Sequence, residues 1–207
     1  MSREILKVES LKAHGLEPVS FLVSHGECLA IDGPSGAGKT VLLRAIADLD
    51  PAPGQVFLEG VERNAFSGPE WRKCVRYVAA EPGWWEETPR AHFESRGGFD
   101  EILVALGLKT AQLDQSLRQL STGERQRMAL VRSVFDKPQV LLLDEPTGAL
   151  DSKSSKLAEG LIKRLLKDGH SVLLVSHDPA QVARLAKRKL VIQDGKVREA
   201  AVRGARR

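Results

Sequence analysis

Residues 33–40 read Gly33-Pro34-Ser35-Gly36-Ala37-Gly38-Lys39-Thr40, the spacing G-x-x-x-x-G-K-[ST] of a loop that cradles phosphates. Its glycines let the backbone curl so that successive N–H groups turn inward on phosphate oxygens. Lys39 can then reach the β and γ oxygens, and the Thr40 hydroxyl can hold Mg2+. A second chemical segment is Val140-Leu141-Leu142-Leu143-Asp144-Glu145, an apolar run that delivers two adjacent carboxylates. Asp144 suits Mg2+, directly or through water, and Glu145 suits polarisation of an attacking water. A third is the run Ser171 to Val175, followed by Ser176-His177-Asp178. It places His177 at the end of a second buried strand, on the side where ligands bind in open α/β sheets. His14, His25, His92 and His170 have no such placement and read as structural or surface groups.

The elements that must hold these residues are legible around them. Glu27 to Asp32 reads as a buried strand, and Thr40 to Leu49 as a helix stopped by Pro51. The octet therefore sits between strand and helix, where the helix dipole adds to an anion site. Ser121 followed by Glu124 forms a capping box that opens a helix through about Phe135, ended by Lys137-Pro138. Asp151 can cap a further helix with Leu157, Leu161, Ile162, Leu165 and Leu166 on one face and Gly169 at its close. Glu4–Glu9, Val19–Val23 and Gln55–Glu59 read as short antiparallel strands. A Pro-started helix follows Asp178, and Asp194-Gly195 marks a hairpin.

Leu120-Ser121-Thr122-Gly123-Glu124-Arg125-Gln126-Arg127 closely resembles the LSGGQ signature of the ATP-binding cassette (ABC) superfamily, with Thr122 in place of one glycine. Pro146-Thr147-Gly148-Ala149-Leu150-Asp151 resembles that family's D-loop, with Asp151 at the dimer seam, and His177 resembles its switch histidine. With the phosphate loop and the carboxylate strand, these motifs occur in the family's order over nearly the whole chain. The resemblance implies an α/β fold: a P-loop NTPase core with an antiparallel β subdomain and a small helical insert. It implies a single ABC ATPase domain over residues 1–207, with a core subdomain of about 1–80 and 136–207 and a helical one of about 81–135.

The activity implied is ATP hydrolysis with Mg2+ by a head-to-tail homodimer formed when ATP is bound. In it Ser121, Thr122, Gly123 and Glu124 of one copy complete the phosphate loop of the other. The implied partner is a separate transmembrane permease subunit, the chain lying in the cytoplasm against the inner face of the membrane. A soluble ABC ATPase acting on nucleic acid or the ribosome is the alternative. One departure stands out: Val75-Arg76-Tyr77-Val78-Ala79-Ala80-Glu81-Pro82 has Ala80 where the family carries its Q-loop glutamine, which leaves Glu81 open as a substitute. His14 is the nearest candidate to stack on adenine.

Composition agrees with that class. At 207 residues, with 42% hydrophobic and 28% charged residues, the chain can bury one sizeable α/β core. It has no run near the ~20 apolar residues of a membrane span, and Met1-Ser2-Arg3-Glu4 opens no secretory segment. Cys28 and Cys74 form no metal pattern and are expected to be reduced thiols. The net charge of +4 draws on Arg184, Lys187, Arg188 and Lys189, read as a solvated helix face, and on Arg198, Arg203, Arg206 and Arg207, read as a frayed tail. No basic patch carries interleaved aromatics, so direct nucleic-acid binding is not expected. Trp84 and Trp85 cannot both enter one core, so at least one should be exposed at the entry to the insert.

Overall fold

Alternating apolar strands and amphipathic helices give two sheets in the computed structural model, which describes residues 3–93 and 98–202. In chain order the elements are β1 (Glu4–Leu11), β2 (Val19–Ser24), β3 (Cys28–Asp32), α1 (Lys39–Ile46), β4 (Gln55–Leu58) and β5 (Val61–Glu62). These are followed by α2 (Gly68–Cys74), β6 (Val75–Val78), α3 (Asp100–Ala105), α4 (Thr122–Phe135) and β7 (Val140–Asp144). The chain closes with α5 (Ser152–Lys167), β8 (Ser171–Val175), α6 (Pro179–Leu185), β9 (Arg188–Gln193) and β10 (Lys196–Ala201).

The first sheet is antiparallel, in the order β2-β1-β4-β5, and the second runs β10-β9-β3-β8-β7-β6. In the second, β3, β6, β7, β8 and β9 are parallel, with β10 the antiparallel edge. Its central strands β7 and β8 are buried on both faces, which is why they read as unbroken apolar runs. Period-two alternation divides their side chains between two cores. Leu29, Ile31, Leu142, Leu173 and Val175 join the antiparallel sheet and α1. Cys28, Ala30, Leu141, Leu143, Val172 and Leu174 join residues of α3, α4, α5 and α6. The second core is where the segment between β6 and β7 docks, through Phe93, Phe99, Leu103, Leu106 and Leu113.

The capping box reading holds in detail. Ser121 caps α4 at its N-terminus and the helix runs to Phe135. Asp151 caps α5 by accepting from the Lys153 and Ser154 amides, and Asp194-Gly195 turns the β9–β10 hairpin. One expectation needs correction: Arg184, Lys187, Arg188 and Lys189 do not share a helix face. The helix ends at Leu185, Ala186 is extended, and Arg188 and Lys189 lie in β9. There they pair with carboxylates: Arg188 with Glu27 and Glu199, Lys189 with Asp32. Alternation of the buried Leu190 and Ile192 with the more exposed Lys189, Val191 and Gln193 makes this stretch a strand. Arg203, Arg206 and Arg207 lie outside the described residues.

Among the described residues no helix is long and apolar enough to cross a membrane. Both cysteines are free; Cys28 is fully buried, and burial pushes its thiol up to about 12, which makes it inert. His92 is structural, as expected. Its Nε2 accepts from the amides of Trp85 (3.0 Å) and Glu86 (3.1 Å), which leaves Nδ1 to donate to the Thr88 carbonyl at 3.0 Å.

Candidate functional site

β3 is buried to Ile31 and ends at Asp32, so the loop that follows emerges at the carboxyl edge of the parallel sheet. Two glycines there cannot be replaced without cost. Gly33 has φ +149°, and a Cβ on it would lie 2.5 Å from the Ile192 carbonyl oxygen, a backbone atom that cannot step aside. Gly38 has φ +101° and closes against Leu16, whose Cδ2 would meet a Cβ at 2.9 Å. Gly38 also precedes α1 with no side-chain cap, so the first-turn N–H groups of that helix stay open to an anion. Pro34, Ser35, Gly36 and Ala37 form the turn between, closed by the Ala37 amide on the Pro34 carbonyl at 3.2 Å.

Lys39 folds back over this turn. Its Nζ donates to the carbonyls of Gly33 (2.8 Å) and Pro34 (2.9 Å), and only 7% of the residue is exposed. Among the described residues no carboxylate forms a salt bridge with this ammonium, which leaves it ready to exchange its carbonyls for phosphate oxygens. The Thr40 hydroxyl donates to Oδ2 of Asp144 at 2.7 Å, joining α1 to the end of β7 across two strand positions. Asp144 is 3% exposed. The same Oδ2 accepts from the Tyr77 phenol at 3.0 Å, and no hydrogen bond from the described residues reaches Oδ1. Burial first, and then the Asp144 charge, push the Tyr77 phenol well above its ordinary range, so it stays a proton donor at neutral pH.

Glu145 follows directly, in the left-handed region at φ +47°, with its amide donating to the Val175 carbonyl at 3.0 Å. Its Oε1 lies 2.9 Å from Nε2 of His177, which follows the adjacent strand β8. The two line a small cavity of about 320 Å³ with Thr147, Gly148, Ser155, Ser176 and Asp178. Phosphate loop, metal-type oxygens and acid–histidine pair thus leave the sheet from β3, β7 and β8, three consecutive neighbours.

The signature residues stand apart. Ser121 is exposed, and its Oγ accepts from the Glu124 amide at 3.2 Å. The Glu124 carboxylate takes the Ser121 amide (2.8 Å) and hydroxyl (2.7 Å) on Oε2 and Gln112 on Oε1 (2.6 Å). These bonds, the Ser121 hydroxyl first, hold Glu124 below the usual carboxylate range. Thr122 begins the helix, and a Cβ on Gly123 would lie 3.5 Å from the Ala149 carbonyl oxygen, beside the segment leading to Asp151. No hydrogen bond among the described residues joins Ser121, Thr122, Gly123 or Glu124 to Lys39, Asp144, Glu145 or His177.

Two features escaped the sequence. Tyr77 on Asp144 is one: β6 pairs with β7 so that Tyr77 lies opposite Leu142, and its length carries the phenol on to the carboxylate. A polar-tipped aromatic near the end of the short strand Val75-Arg76-Tyr77-Val78 was the available signal. The other is a network in which Gln181 bonds Thr147 and Glu159, and Arg184 makes a fork to Glu159 at 2.8 and 2.7 Å. Glu81 is exposed and has no side-chain hydrogen bond among the described residues, and His14 is exposed.

Trp85 is 72% exposed while Trp84 packs against the second core, as adjacency required. The Arg132 guanidinium lies over both rings, 4.4 and 5.0 Å from their centroids. Beside them a groove of about 1240 Å³ runs between α4, α5 and the segment after β6.

Residues 16–148 match the family described as ABC transporter. The uncharacterized ABC transporter ATP-binding protein MJ0796 of Methanocaldococcus jannaschii is 35% identical over 218 residues, covering 92% of this chain and 91% of that protein. The sulfate/thiosulfate import ATP-binding protein CysA of Mycobacterium tuberculosis is 33% identical over 220 residues, covering 96% of this chain. The chain spans 61% of the length of that relative. A dimeric structure of the MJ0796 cassette in a post-hydrolysis state with ADP and Pi superposes with a TM-score of 0.79 at 28% identity, covering 97% of this chain and all of that one. With a family match over most of its length and a relative matched nearly end to end, the chain belongs to the ABC transporter family.

Proposed function

We propose that this chain binds and hydrolyses ATP as the motor subunit of a membrane transporter, working as a head-to-tail homodimer with a separate permease. The observation that carries the reading is the Glu145–His177 pair, 2.9 Å apart beyond the ends of β7 and β8, on one side of the strand that leads into the phosphate loop. The residues fit a magnesium nucleotide. Hydroxyl and carboxylate oxygens of Thr40 and Asp144, 2.7 Å apart, are the hard donors that Mg2+ takes, and Mg2+ there would neutralise charge on the β and γ oxygens.

The chain's own groups account for the rest. The loop amides and the open end of α1 bind phosphate oxygens, and Lys39 leaves its two carbonyls for them. Glu145 orients a water and accepts its proton while His177 holds the carboxylate and contacts the γ-phosphate. Ser121, Thr122, Gly123 and Glu124, at the N-terminus of α4 with the first two exposed and none hydrogen-bonded to their own phosphate loop, serve the partner's site, with Asp151 near the seam. Support for this comes from a dimeric relative of the same fold. Closure would exclude water and turn binding energy into motion of a permease docked against Trp85 and the insert of about residues 81–135, at the cytoplasmic face of the membrane.

Glu145→Gln tests the reading. Turnover, measured as phosphate release, should fall by roughly 10²- to 10⁴-fold, the usual worth of a positioned base. Light scattering after gel filtration should find an ATP-dependent dimer that the wild type does not accumulate. Retention of more than a tenth of the activity, or a monomer at saturating ATP, would refute it.

A further inference from the structure

The oxygen of Asp144 that faces Thr40 has a second donor, and it comes from outside the phosphate loop. Tyr77 lies in β6, an edge strand of the parallel sheet, and its phenol reaches Asp144 Oδ2 at 3.0 Å. We propose that Tyr77 is a positioning residue for the metal site: it fixes the Asp144 carboxylate so that Oδ1 faces the place of the magnesium ion. The inference rests on the magnesium-nucleotide reading of the site given above.

In the structure two neutral hydroxyls, from Thr40 and Tyr77, share Oδ2. Thr40 is also the loop's own metal-type ligand, so its oxygen serves two masters when a metal is present. Tyr77 has no such second role. Its bond is the one that keeps the carboxylate's orientation independent of metal loading, and the ring behind it is clamped by the first core. No other polar side chain of the described residues holds Asp144, and Glu81, the nearest acidic residue beyond β6, is exposed without a bond. Tyr77 also lines the groove beside Trp85, Arg76 and Arg132. The strand that orients the metal carboxylate is therefore the wall of that groove.

Tyr77→Phe removes one oxygen and keeps the ring. The measurement is Mn2+ affinity of the ATP-loaded protein, read by electron paramagnetic resonance of free Mn2+, in the Glu145→Gln background so that ATP survives the titration. A hydrogen bond to a charged group corresponds to roughly a tenfold change in an equilibrium constant, so the Mn2+ dissociation constant should rise about tenfold. ATP affinity in EDTA should stay within twofold, because among the described residues Tyr77 makes no hydrogen bond to the phosphate loop.

A purely structural role predicts the reverse: a lower thermal midpoint and weaker ATP binding in EDTA, with Mn2+ affinity unchanged. That result, or Mn2+ affinity within twofold of the parent, overturns the inference. A parent protein that holds Mn2+ no better with ATP than without overturns the magnesium-nucleotide reading, and this inference with it.

Discussion

In the proposed head-to-tail dimer Glu124 would lie beside the partner's phosphate, and replacing it with glutamine separates two functions proposed for the α4 N-terminus. Glutamine still completes a capping box, because its amide oxygen can accept from the Ser121 amide and hydroxyl now bound at 2.8 and 2.7 Å. What is lost is the charge, and with it the bond that Gln112 donates to Oε1. A carboxylate in the first turn compensates the helix dipole by about 0.3–1 kcal/mol, and Glu124 is only partly buried, so the monomer should lose stability near the low end of that range. The same interaction becomes free for an incoming anion. A symmetric dimer has two such ends, so ATP-driven association should strengthen by roughly 0.6–2 kcal/mol, or about 3- to 30-fold in dimer dissociation constant.

The assay is sedimentation equilibrium in ATP with Glu145→Gln as parent, beside urea unfolding of the nucleotide-free protein. The expected outcome is a slightly less stable monomer that pairs more tightly. If dimerisation weakens or stays unchanged while stability falls, the α4 end serves only its own helix and the trans site lies elsewhere.

Two further outcomes follow from other contacts. Arg184 holds Glu159 below the usual carboxylate range, so the pair contributes stability above about pH 4.3 and loses it as pH falls through the lower folded value. Arg184→Ala should cost about 1–2 kcal/mol at pH 7, moderated because Arg184 is 45% exposed though Glu159 is buried, and the gap from wild type should close as pH falls below the ordinary carboxylate range in thermal melts. A gap independent of pH would assign the loss to packing instead. Trp85→Ala, at a site 72% exposed, should leave the thermal midpoint within about 1 °C, as surface changes usually do, yet reduce recovery of a co-expressed permease in a pull-down. Equal recovery would remove Trp85 from the contact.

Local chemistry made much of this molecule readable before any coordinates. The phosphate loop, the Ser121–Glu124 capping box and the Asp194-Gly195 hairpin are each decided within a few residues, and each lies where its pattern put it. The strand ends at Asp144 and His177 were readable because a strand buried on both faces leaves no polar residue until it reaches the edge of the sheet. Arg188 and Lys189 misled for the opposite reason. Three cations in a row suggested a solvated helix, and only the pairing of β9 with β3 brings Glu27 and Asp32 within their reach.

Tyr77 and the Gln181–Glu159–Arg184 network depend on contacts between residues 22 to 67 positions apart, which no local pattern encodes. They share a property with consequences for the site. Thr147, bonded to Gln181, lies two residues beyond Glu145, and the Gln126 amide reaches the Pro146 carbonyl at 3.5 Å. Arg127 bonds Ser154, whose amide and hydroxyl are held by Asp151. The segment from Glu145 to Asp151 is thereby fastened to α4 on one side and to α5 and α6 on the other. A displacement of the Glu145 turn cannot be absorbed locally, because packed side chains on both flanks must move with it. The α4 N-terminus, with Ser121 and Thr122 exposed, is thus mechanically joined to the turn that carries Glu145.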